Sequence, residues 1–284
     1  MTKKVALIND LSGFGRCSLT AAIPVLAVMG HQPCPLPTAI LTAQTGYPSY
    51  VCEDYTERMP DFTWEWGKAG KNFDGIYTGF MTGIRQIEVV SEFLDVFYKE
   101  DTLLLVDPVL GDNGSSYGFY TSRMGEAMKA LAERADIVTP NLTELCFLTG
   151  SCYEEIMELE DAALLDATRR LGKNLLNKSG KIVVVTGIPY HDGETGEGCI
   201  GNYHISESGA ELIAFSRQPG SFSGTGDLFA SALIGGVLRG DTSEMAVRTA
   251  GKFLERAIAE SNRNGTPCQE GVDFEKYLGM LINS

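Results

Sequence analysis

Long apolar runs and positive charge are scarce in this sequence. No stretch approaches the roughly 18 consecutive apolar residues that a membrane-spanning helix needs. Among 284 residues, 37 Asp and Glu outnumber 23 Lys and Arg, which gives a formal net charge of −14. That charge repels nucleic acid and anionic membranes, so local donors, dipoles and metal have to bind any phosphate-bearing ligand. We therefore expect neither a nucleic-acid nor a membrane partner.

Paired cysteines and clustered histidines are also missing. The 7 cysteines, an odd number, include no CxxC pair, and the 3 histidines lie far apart in sequence. Disulfide frameworks and zinc sites both need closer or paired spacing, so reduced thiols are expected. The apolar run Val5–Ile8 is too short for the apolar region of a signal peptide. We expect a cytoplasmic protein.

Short apolar runs alternate with amphipathic stretches along the first half of the chain. The strand-like runs are Val5–Ile8, Gly75–Thr78, Leu103–Val106 and Ile137–Thr139, and the helix-like stretches are Leu19–Met29, Val89–Tyr98 and Met124–Arg134. This alternation is typical of β-α-β units on a parallel sheet. Because no internal repeat or long linker interrupts it, residues 1–284 are predicted to form a single α/β domain.

The second half of the chain adds further predicted elements. They are a helix over Leu164–Leu176, a strand over Lys181–Thr186, a hairpin of Cys199–His204 and Glu211–Arg217, and two packed helices over Asp227–Leu238 and Met245–Ile258. Pro33–Tyr50 has three prolines followed by polar sequence, and it is predicted to be a loop or lid. The acidic run Glu154–Asp161 is interpreted as a solvated helix face rather than a metal site.

The sharpest motif is the glycine-rich sequence Ser223–Asp227, which runs directly into an apolar helix. Glycines before a helix leave unpaired backbone N–H groups at the positive end of the helix dipole, an arrangement that suits a phosphoryl group. Asp227 has two interpretations. It is either a first-turn acid favoured by the dipole or a carboxylate that accepts a proton from a substrate hydroxyl. The turn alone favours the first.

Polar residues also follow three predicted strands. Asp107 and Asp112 follow the first, Thr139, Asn141 and Glu144 follow the second, and Thr186 and Gly187 end the third. In open α/β sheets, ligands bind beyond the carboxyl ends of the strands, so these positions predict metal or phosphate chemistry. Each piece also has a structural interpretation, because Asn141 with Glu144 fits a helix capping box and Asp-Pro is a turn signal. Their joint occurrence with the glycine turn favours a binding site.

Together, these motifs resemble the ribokinase-like small-molecule kinases, and among them the vitamin B6 kinases. The matching segments appear in family order and cover most of the chain: Gln44–Tyr47, Tyr77–Phe80, Asp107–Asp112, Val138–Asn141 with Glu144, Val185–Thr186 and Gly224–Ser231. The resemblance implies a three-layer α/β sandwich, with a mostly parallel central sheet, helices on both faces and a small lid near residues 33–50. It also implies phosphorylation of the 5′-hydroxymethyl group of pyridoxal, pyridoxamine or pyridoxine by ATP.

The resemblance further implies roles for individual residues. Asp227 would be the catalytic base, with Gly224, Thr225 and Gly226 around the transferred phosphoryl group. The implied substrate contacts are Asn9, Asp10, Thr45, Tyr47 and Phe80, and the implied nucleotide contacts are Asp112, Asn141, Glu144, Thr186, Gly187, Thr225 and Gly226. Mg²⁺ would lie near Glu144, and a monovalent cation, K⁺ or Na⁺, near Asp107 and Thr139. A homodimer is also implied.

Some features leave other functions open. The segment Asn9–Gly15 is closer to the opening of hydroxymethylpyrimidine kinases of thiamin synthesis, but those enzymes often carry Cys where this chain has Asp227. A non-catalytic protein that binds or senses B6 is a further alternative, which the intact Asp227 argues against. A NAD-dependent oxidoreductase is disfavoured because the Gly13–Ser18 fingerprint lacks its third glycine, and no GxxxxGK[ST] motif of a Walker-type NTPase occurs.

Overall fold

The computed structural model of the protein describes residues 2–176 and 182–282. Its strands are β1 (Lys4–Ser12), β2 (Gln32–Leu41), β3 (Cys52–Asp54), β4 (Gly75–Thr78), β5 (Leu103–Val106), β6 (Gly111–Asp112), β7 (Ser115–Ser116), β8 (Ile137–Val138), β9 (Ile182–His191), β10 (Gly198–Ser206) and β11 (Gly209–Ser216). Its α-helices are α1 (Ser18–Val28), α2 (Met59–Lys68), α3 (Ile84–Phe97), α4 (Ser122–Ala132), α5 (Leu142–Thr149), α6 (Tyr153–Met157), α7 (Asp161–Leu176), α8 (Thr225–Arg239) and α9 (Ser243–Asn264). Short 3₁₀ helices lie at Thr56–Arg58, Cys268–Glu270 and Glu275–Leu281.

The chain divides into two compact units. The first comprises described residues within Met1–Leu104 and Gln218–Ser284. Its strands follow the order β4, β1, β2, β3, with the first three parallel and β3 antiparallel at the edge. Val5 to Ile8 of β1 have no exposed surface, which explains why a strand covered on both faces has a continuous apolar sequence. Helix α8 packs against α1 and α9.

The second unit comprises described residues within Leu105–Arg217. The end of β5 pairs in parallel with β8, and β8 pairs in parallel with β9. Strands β10 and β11 extend this arrangement as the antiparallel hairpin that the sequence predicts. Helix α7 packs against β9 and α5. The predicted class, a mixed α/β protein with mostly parallel strands and helices, is confirmed, and Lys181 of the predicted strand lies outside the described residues.

The predicted loop over Pro33–Tyr50 is wrong for its first half, because residues 33–41 belong to β2. Pro33, Pro35 and Pro37 alternate along this strand, and the N–H of Gln32 donates to the carbonyl of Lys3 beside β1 at 2.7 Å. Because backbone N–H groups alternate in direction along a strand, the prolines lie at positions that do not donate to β1. A proline is tolerated in a strand where no ladder hydrogen bond is lost.

Most of the acidic run Glu154–Asp161 is exposed, but the run is not one helix face, because residues 158–160 lie between two helices. Helix α6 ends at Met157 and α7 begins at Asp161. In the described parts of the chain, no group of three or more His, Cys, Asp or Glu side chains is placed to hold a metal ion. Within the same residues, no helix has both the length and the apolar content needed to cross a membrane.

Candidate active site

The glycine turn, Gly224–Asp227, has a backbone that only glycine suits at its first position. Gly224 has a φ of 78°, and a Cβ atom there would lie 2.0 Å from the carbonyl oxygen of Arg16. Helix α8 begins at the next residue, so the N–H groups of its first turn have no acceptor within the helix. Together with the helix dipole, they favour an anion. The predicted anion-binding turn is therefore present as a geometric feature.

The Asp227 carboxylate accepts three hydrogen bonds within the first unit. Asn9 Nδ2 donates to Oδ1 at 2.8 Å, and Tyr77 Oη donates to the same oxygen at 3.1 Å. The backbone N–H of Ser18 donates to Oδ2 at 2.7 Å. Burial raises the pKa of Asp227 above its ordinary value, while these three donors favour the ionised form. The side chain is thus fixed by groups from β1, β4 and the start of α1.

A second carboxylate, Asp10, lies next to this arrangement. Ser18 Oγ donates to Asp10 Oδ1 at 2.5 Å, and Ser12 Oγ donates to Asp10 Oδ2 at 2.8 Å. Burial raises the pKa of Asp10 to about 6, with a smaller contribution from the charge of Asp227, whereas the two hydroxyl donors lower it. Ser18 therefore contacts both carboxylates, one through its backbone and one through its side chain.

Asn9, a predicted substrate contact, is buried and hydrogen-bonded within the protein. Asn9 has no exposed surface, and its Oδ1 accepts the backbone N–H groups of Asp10 at 3.0 Å and Phe80 at 2.9 Å. Its side chain is therefore engaged on both ends, because Nδ2 donates to Asp227. Gly79 also packs against it, since a Cβ at Gly79 would lie 2.4 Å from Asn9 Nδ2. Asn9 is therefore placed to orient the Asp227 carboxylate.

Three of the other predicted substrate contacts are more accessible. Thr45 is exposed, and Tyr47 and Phe80 are partly buried. The turn that carries Thr45 and Tyr47 is anchored by Gln44, whose Nε2 donates to the carbonyl of Gln269 at 3.0 Å. Gln44 Oε1 accepts the N–H of Gly46 at 2.7 Å. The chain near residue 45 is thus tied to the C-terminal segment of the first unit.

In the second unit, Asn141 and Glu144 form the capping box that the sequence allowed. The N–H of Glu144 donates to Asn141 Oδ1, and the N–H of Asn141 donates to Glu144 Oε2, each at 2.9 Å. Glu144 Oε1 accepts the N–H of Leu110 at 3.1 Å, and Asn141 Nδ2 donates to the carbonyl of Gly111 at 2.8 Å. Burial raises the pKa of Glu144 to about 7 despite these donors, and Asp112 adds to the rise.

Asp107 and Thr139 lie just beyond the ends of β5 and β8, whereas Thr186 and Gly187, predicted to end a strand, lie within β9, which continues to His191. Thr139 Oγ1 donates to Asp107 Oδ1 at 3.1 Å, and both side chains are buried. Asn141 pairs with Thr186 in an isolated parallel bridge. Gly187 is exposed in a left-handed conformation, and its N–H donates to Asn202 Oδ1 at 3.0 Å. Asp112 is partly exposed, and burial raises its pKa.

Sequence reasoning missed two residues around Asp227. Tyr77 belongs to the matching segment Tyr77–Phe80, but the sequence does not show that its hydroxyl donates to Asp227. Ser18 has a φ of 49°, a left-handed conformation that its residue type does not announce. For Tyr77, the alternation of side chains along a strand predicts that it lies on the same face as Gly75. In the structure α8, which carries Asp227, packs closely on that face.

The chain is similar to known proteins along most of its length. The family model described as phosphomethylpyrimidine kinase matches residues 18–271. A crystal structure from Bacteroides thetaiotaomicron, of a protein assigned to the phosphomethylpyrimidine kinases, has a TM-score of 0.91 and 36% sequence identity, covering 99% of this chain and 94% of that chain. A second crystal form of it, with pyridoxal, gives a TM-score of 0.90, 35% identity, and coverage of 99% of this chain and 96% of that chain.

Relatives named for vitamin B6 are similar along most of the chain. The pyridoxine/pyridoxal/pyridoxamine kinase of Bordetella avium is 28% identical over 258 residues, which is 87% of this chain and 81% of the relative. The pyridoxal kinase of Lactobacillus plantarum has a TM-score of 0.85 and 27% identity, covering 99% of this chain and 97% of that chain. The fold and these matches define a ribokinase-like phosphotransferase with an alcohol group as acceptor. Within that class, the chain belongs to the phosphomethylpyrimidine kinase family.

Proposed function

We propose that this protein transfers the γ-phosphoryl group of ATP to the 5′-hydroxymethyl group of a vitamin B6 vitamer, giving the 5′-phosphate and ADP. The observation that carries the proposal is the Asp227 carboxylate. It lies in the first turn of α8, directly after a glycine turn suited to phosphate, and three hydrogen-bond donors fix its orientation. The named activities of the relatives agree with it, and the related B. thetaiotaomicron structure contains pyridoxal. The activity belongs to salvage of pyridoxal phosphate.

Asp227 is the proposed base for the acceptor hydroxyl. A carboxylate oxygen has two lone pairs, and Oδ1 already accepts two hydrogen bonds from Asn9 and Tyr77. Oδ2 accepts one from the Ser18 N–H, which leaves it a lone pair for the substrate proton. The N–H groups at Thr225 and Gly226 stabilise negative charge on the phosphoryl group as it moves. Phosphoryl transfer asks little more of a protein than this positioning and charge stabilisation.

Residues of the second unit are proposed to bind the nucleotide and its cations. The oxygen and amide groups come from the end of β6, the start of α5 and the middle of β9, at Asp112, Asn141, Glu144, Thr186 and Gly187. Oxygen ligands fit Mg²⁺, which would be held near Glu144 and Asp112 together with the phosphates and would neutralise their charge. Asp107 with Thr139 offers oxygens that suit K⁺ or Na⁺.

The vitamer-binding side is proposed to involve Asp10, Thr45, Tyr47 and Phe80. Phe80 provides a ring surface for the pyridine. Residues 42–50, which follow β2 without regular structure, are proposed to cover the substrate and exclude water, so that ATP is not hydrolysed. The single-domain organisation, the homodimer and the cytoplasmic location remain predictions that rest on the sequence and the resemblance.

Hydroxymethylpyrimidine kinase is the second candidate, because the matching family model carries a pyrimidine kinase description. Two observations favour vitamin B6: Asp227 stands where pyrimidine kinases often have Cys, and pyridoxal occupies the similar B. thetaiotaomicron structure. A protein that only binds or senses B6 is the candidate of another class. It would bind the vitamer without producing ADP.

The deciding experiment measures ADP production from MgATP with pyridoxal, pyridoxine, pyridoxamine and hydroxymethylpyrimidine in parallel. The proposal expects a higher kcat/KM for at least one B6 vitamer than for the pyrimidine. In Asp227→Asn, kcat should fall on the order of 10²–10⁴-fold, because the acceptor loses its base. Asp61→Asn, an exposed acid on α2, is the matched control and should keep wild-type turnover. A preference for the pyrimidine would change the assigned substrate to hydroxymethylpyrimidine. Binding of a vitamer without ADP production would indicate a sensor.

A further inference from the structure

Ser18 has an unusual backbone for its residue type. Its φ of 49° lies in the left-handed region, and it shares this property with one other non-glycine residue of the described chain, Asn113. Left-handed conformations are unfavourable for a non-glycine residue and persist only where the surroundings enforce them. Asparagine accepts this region more readily than other side chains, whereas serine gains no such advantage from its type. The conformation at Ser18 therefore needs a structural cause.

Asp10 supplies that cause. The Ser18 hydroxyl donates to Asp10 Oδ1 at 2.5 Å, and the other oxygen of Asp10 is held by Ser12 at 2.8 Å. Asp10 and Ser18 are both buried, at 5% and 6% exposure, so the bond is protected from competing water. A hydrogen bond to a charged group is stronger than one between neutral groups, and this bond offsets the unfavourable backbone conformation of Ser18.

The segment that leads to Ser18 is also fixed. The Arg16 N–H donates to the carbonyl of Glu270 at 2.9 Å, and its guanidinium pairs with Asp273 at 3.1 Å and Glu275 at 2.6 Å. On its other side, the carbonyl of Arg16 lies against Gly224, which lacks the Cβ that would collide with it. The loop and the glycine turn are therefore packed backbone to backbone.

We propose that Ser18 is a positioning residue for Asp227: its left-handed backbone aims its N–H at Oδ2, and its hydroxyl bond to Asp10 holds that backbone in place. The inference rests on the proposed role of Asp227 as the base. Ser18 itself touches no reacting atom in this scheme. Its function is to keep the proton-accepting oxygen in one orientation, and misplacement of a catalytic group by about 1 Å can cost on the order of 100-fold in rate.

Two substitutions separate the backbone of Ser18 from its hydroxyl. Ser18→Thr keeps the hydroxyl, but a β-branched side chain strongly disfavours positive φ. Ser18→Gly loses the hydroxyl, but glycine adopts positive φ freely. We expect Ser18→Thr to lower kcat by about 10–100-fold with a change in KM for the vitamer below about threefold. We expect Ser18→Gly to retain at least about tenfold more kcat than Ser18→Thr. Ser91→Thr on α3, measured beside them, controls for the added methyl group.

A second measurement does not depend on turnover. Carbon-13 NMR of labelled aspartates measures the pKa of the Asp227 carboxyl group, whose signal is assigned as the one missing from Asp227→Asn. The titratable groups that face Asp227 are Asp10, Cys17 and Tyr77. The Ser18 N–H lowers the pKa of Asp227. Ser18→Thr should therefore raise that pKa, whereas Ser18→Gly should leave it and instead raise the pKa of Asp10.

The outcomes are distinct. Absence of wild-type turnover with every B6 vitamer would refute the proposed function, and the NMR titration would still decide the role of Ser18. Circular dichroism confirms that each variant is folded. Equal kcat values for Ser18→Thr and Ser18→Gly, a lower value for Ser18→Gly, or an unchanged Asp227 pKa in folded Ser18→Thr would each overturn the positioning role.

Discussion

Tyr77 and Asn9 both donate a hydrogen bond to Oδ1 of Asp227, so each lowers the free-energy cost of burying the carboxylate charge. Tyr77 lies on β4 with no exposed surface, and its hydroxyl is 3.1 Å from Oδ1. In Tyr77→Phe the ring still fills the core, but the carboxylate loses a donor that favours its ionised form. We expect kcat to fall by about 3–10-fold, because the remaining donors still orient the base.

The same substitution predicts a pH effect with a definite sign. Burial raises the pKa of Asp227, and the loss of the Tyr77 hydroxyl raises it further. The base works only when ionised, so the acid limb of kcat/KM should move to higher pH in Tyr77→Phe. Tyr55→Phe in the same unit is the matched control and should keep the wild-type profile. A limb that stays in place, or that moves to lower pH, would contradict the role given to Tyr77.

The sequence puts Asp227 at the glycine turn, and the resemblance names Asp10 as a substrate contact; in the structure Ser18 contacts both carboxylates. The sequence does not show that the Asn9 side chain, inside β1, is turned toward Asp227. The three partners of Asp227 come from positions 9, 18 and 77, far from it along the chain. Such contacts depend on tertiary packing, which spacing along the sequence does not reveal.

At the scale of elements, the junction between the glycine turn and α8 depends on close backbone packing. In Gly224→Ala the new Cβ would lie 2.0 Å from the Arg16 carbonyl oxygen, in addition to the strain of a φ of 78°. Gly30 has a φ of 85°, but a Cβ there would meet nothing within 4 Å. Gly30→Ala is therefore a control that carries the backbone strain without the collision.

We expect Gly30→Ala to lower the free energy of unfolding by about 1 kcal/mol. For Gly224→Ala we expect a loss of about 2–4 kcal/mol, together with a fall in kcat, because the glycine turn has to move away from Arg16. Urea unfolding monitored by circular dichroism measures both losses. Equal losses in the two variants would show that the contact with Arg16 is not tight.

The elements themselves were predicted to different degrees. Strongly periodic or continuous apolar segments, such as β4, α8 and the β10–β11 hairpin, were found close to their observed bounds. Helix α2 and strand β3 were missed, since α2 buries only Met59 and β3 has only three residues. Three prolines predict a loop where β2 lies, because proline content alone does not show whether a strand needs the N–H groups that proline lacks.

At the scale of the whole molecule, buried acids give the protein an unusual dependence on pH. Burial raises the pKa of Glu144 to about 7 and that of Asp10 to about 6, above the ordinary values of 4.5 and 3.8. An acid with a raised folded pKa contributes stability that is complete below its unfolded pKa and is lost as pH rises through its folded pKa. At Asp74 and Asp273, hydrogen bonds outweigh partial burial and lower the pKa, so these acids lose their contribution only at lower pH.

We therefore expect the free energy of unfolding to be about 1–2 kcal/mol greater at pH 6 than at pH 8, as measured by urea titration. Glu144→Gln preserves the side-chain shape but cannot ionise, so it should lose most of that difference. Glu155→Gln, an exposed position on α6, should keep it. A wild-type protein that is equally stable at both pH values would mean that Glu144 and Asp10 find more polar surroundings than their burial implies. If instead Glu155→Gln lost the difference, the pH dependence would come from surface charge, since a net charge of −14 also weakens the compact state as acids ionise.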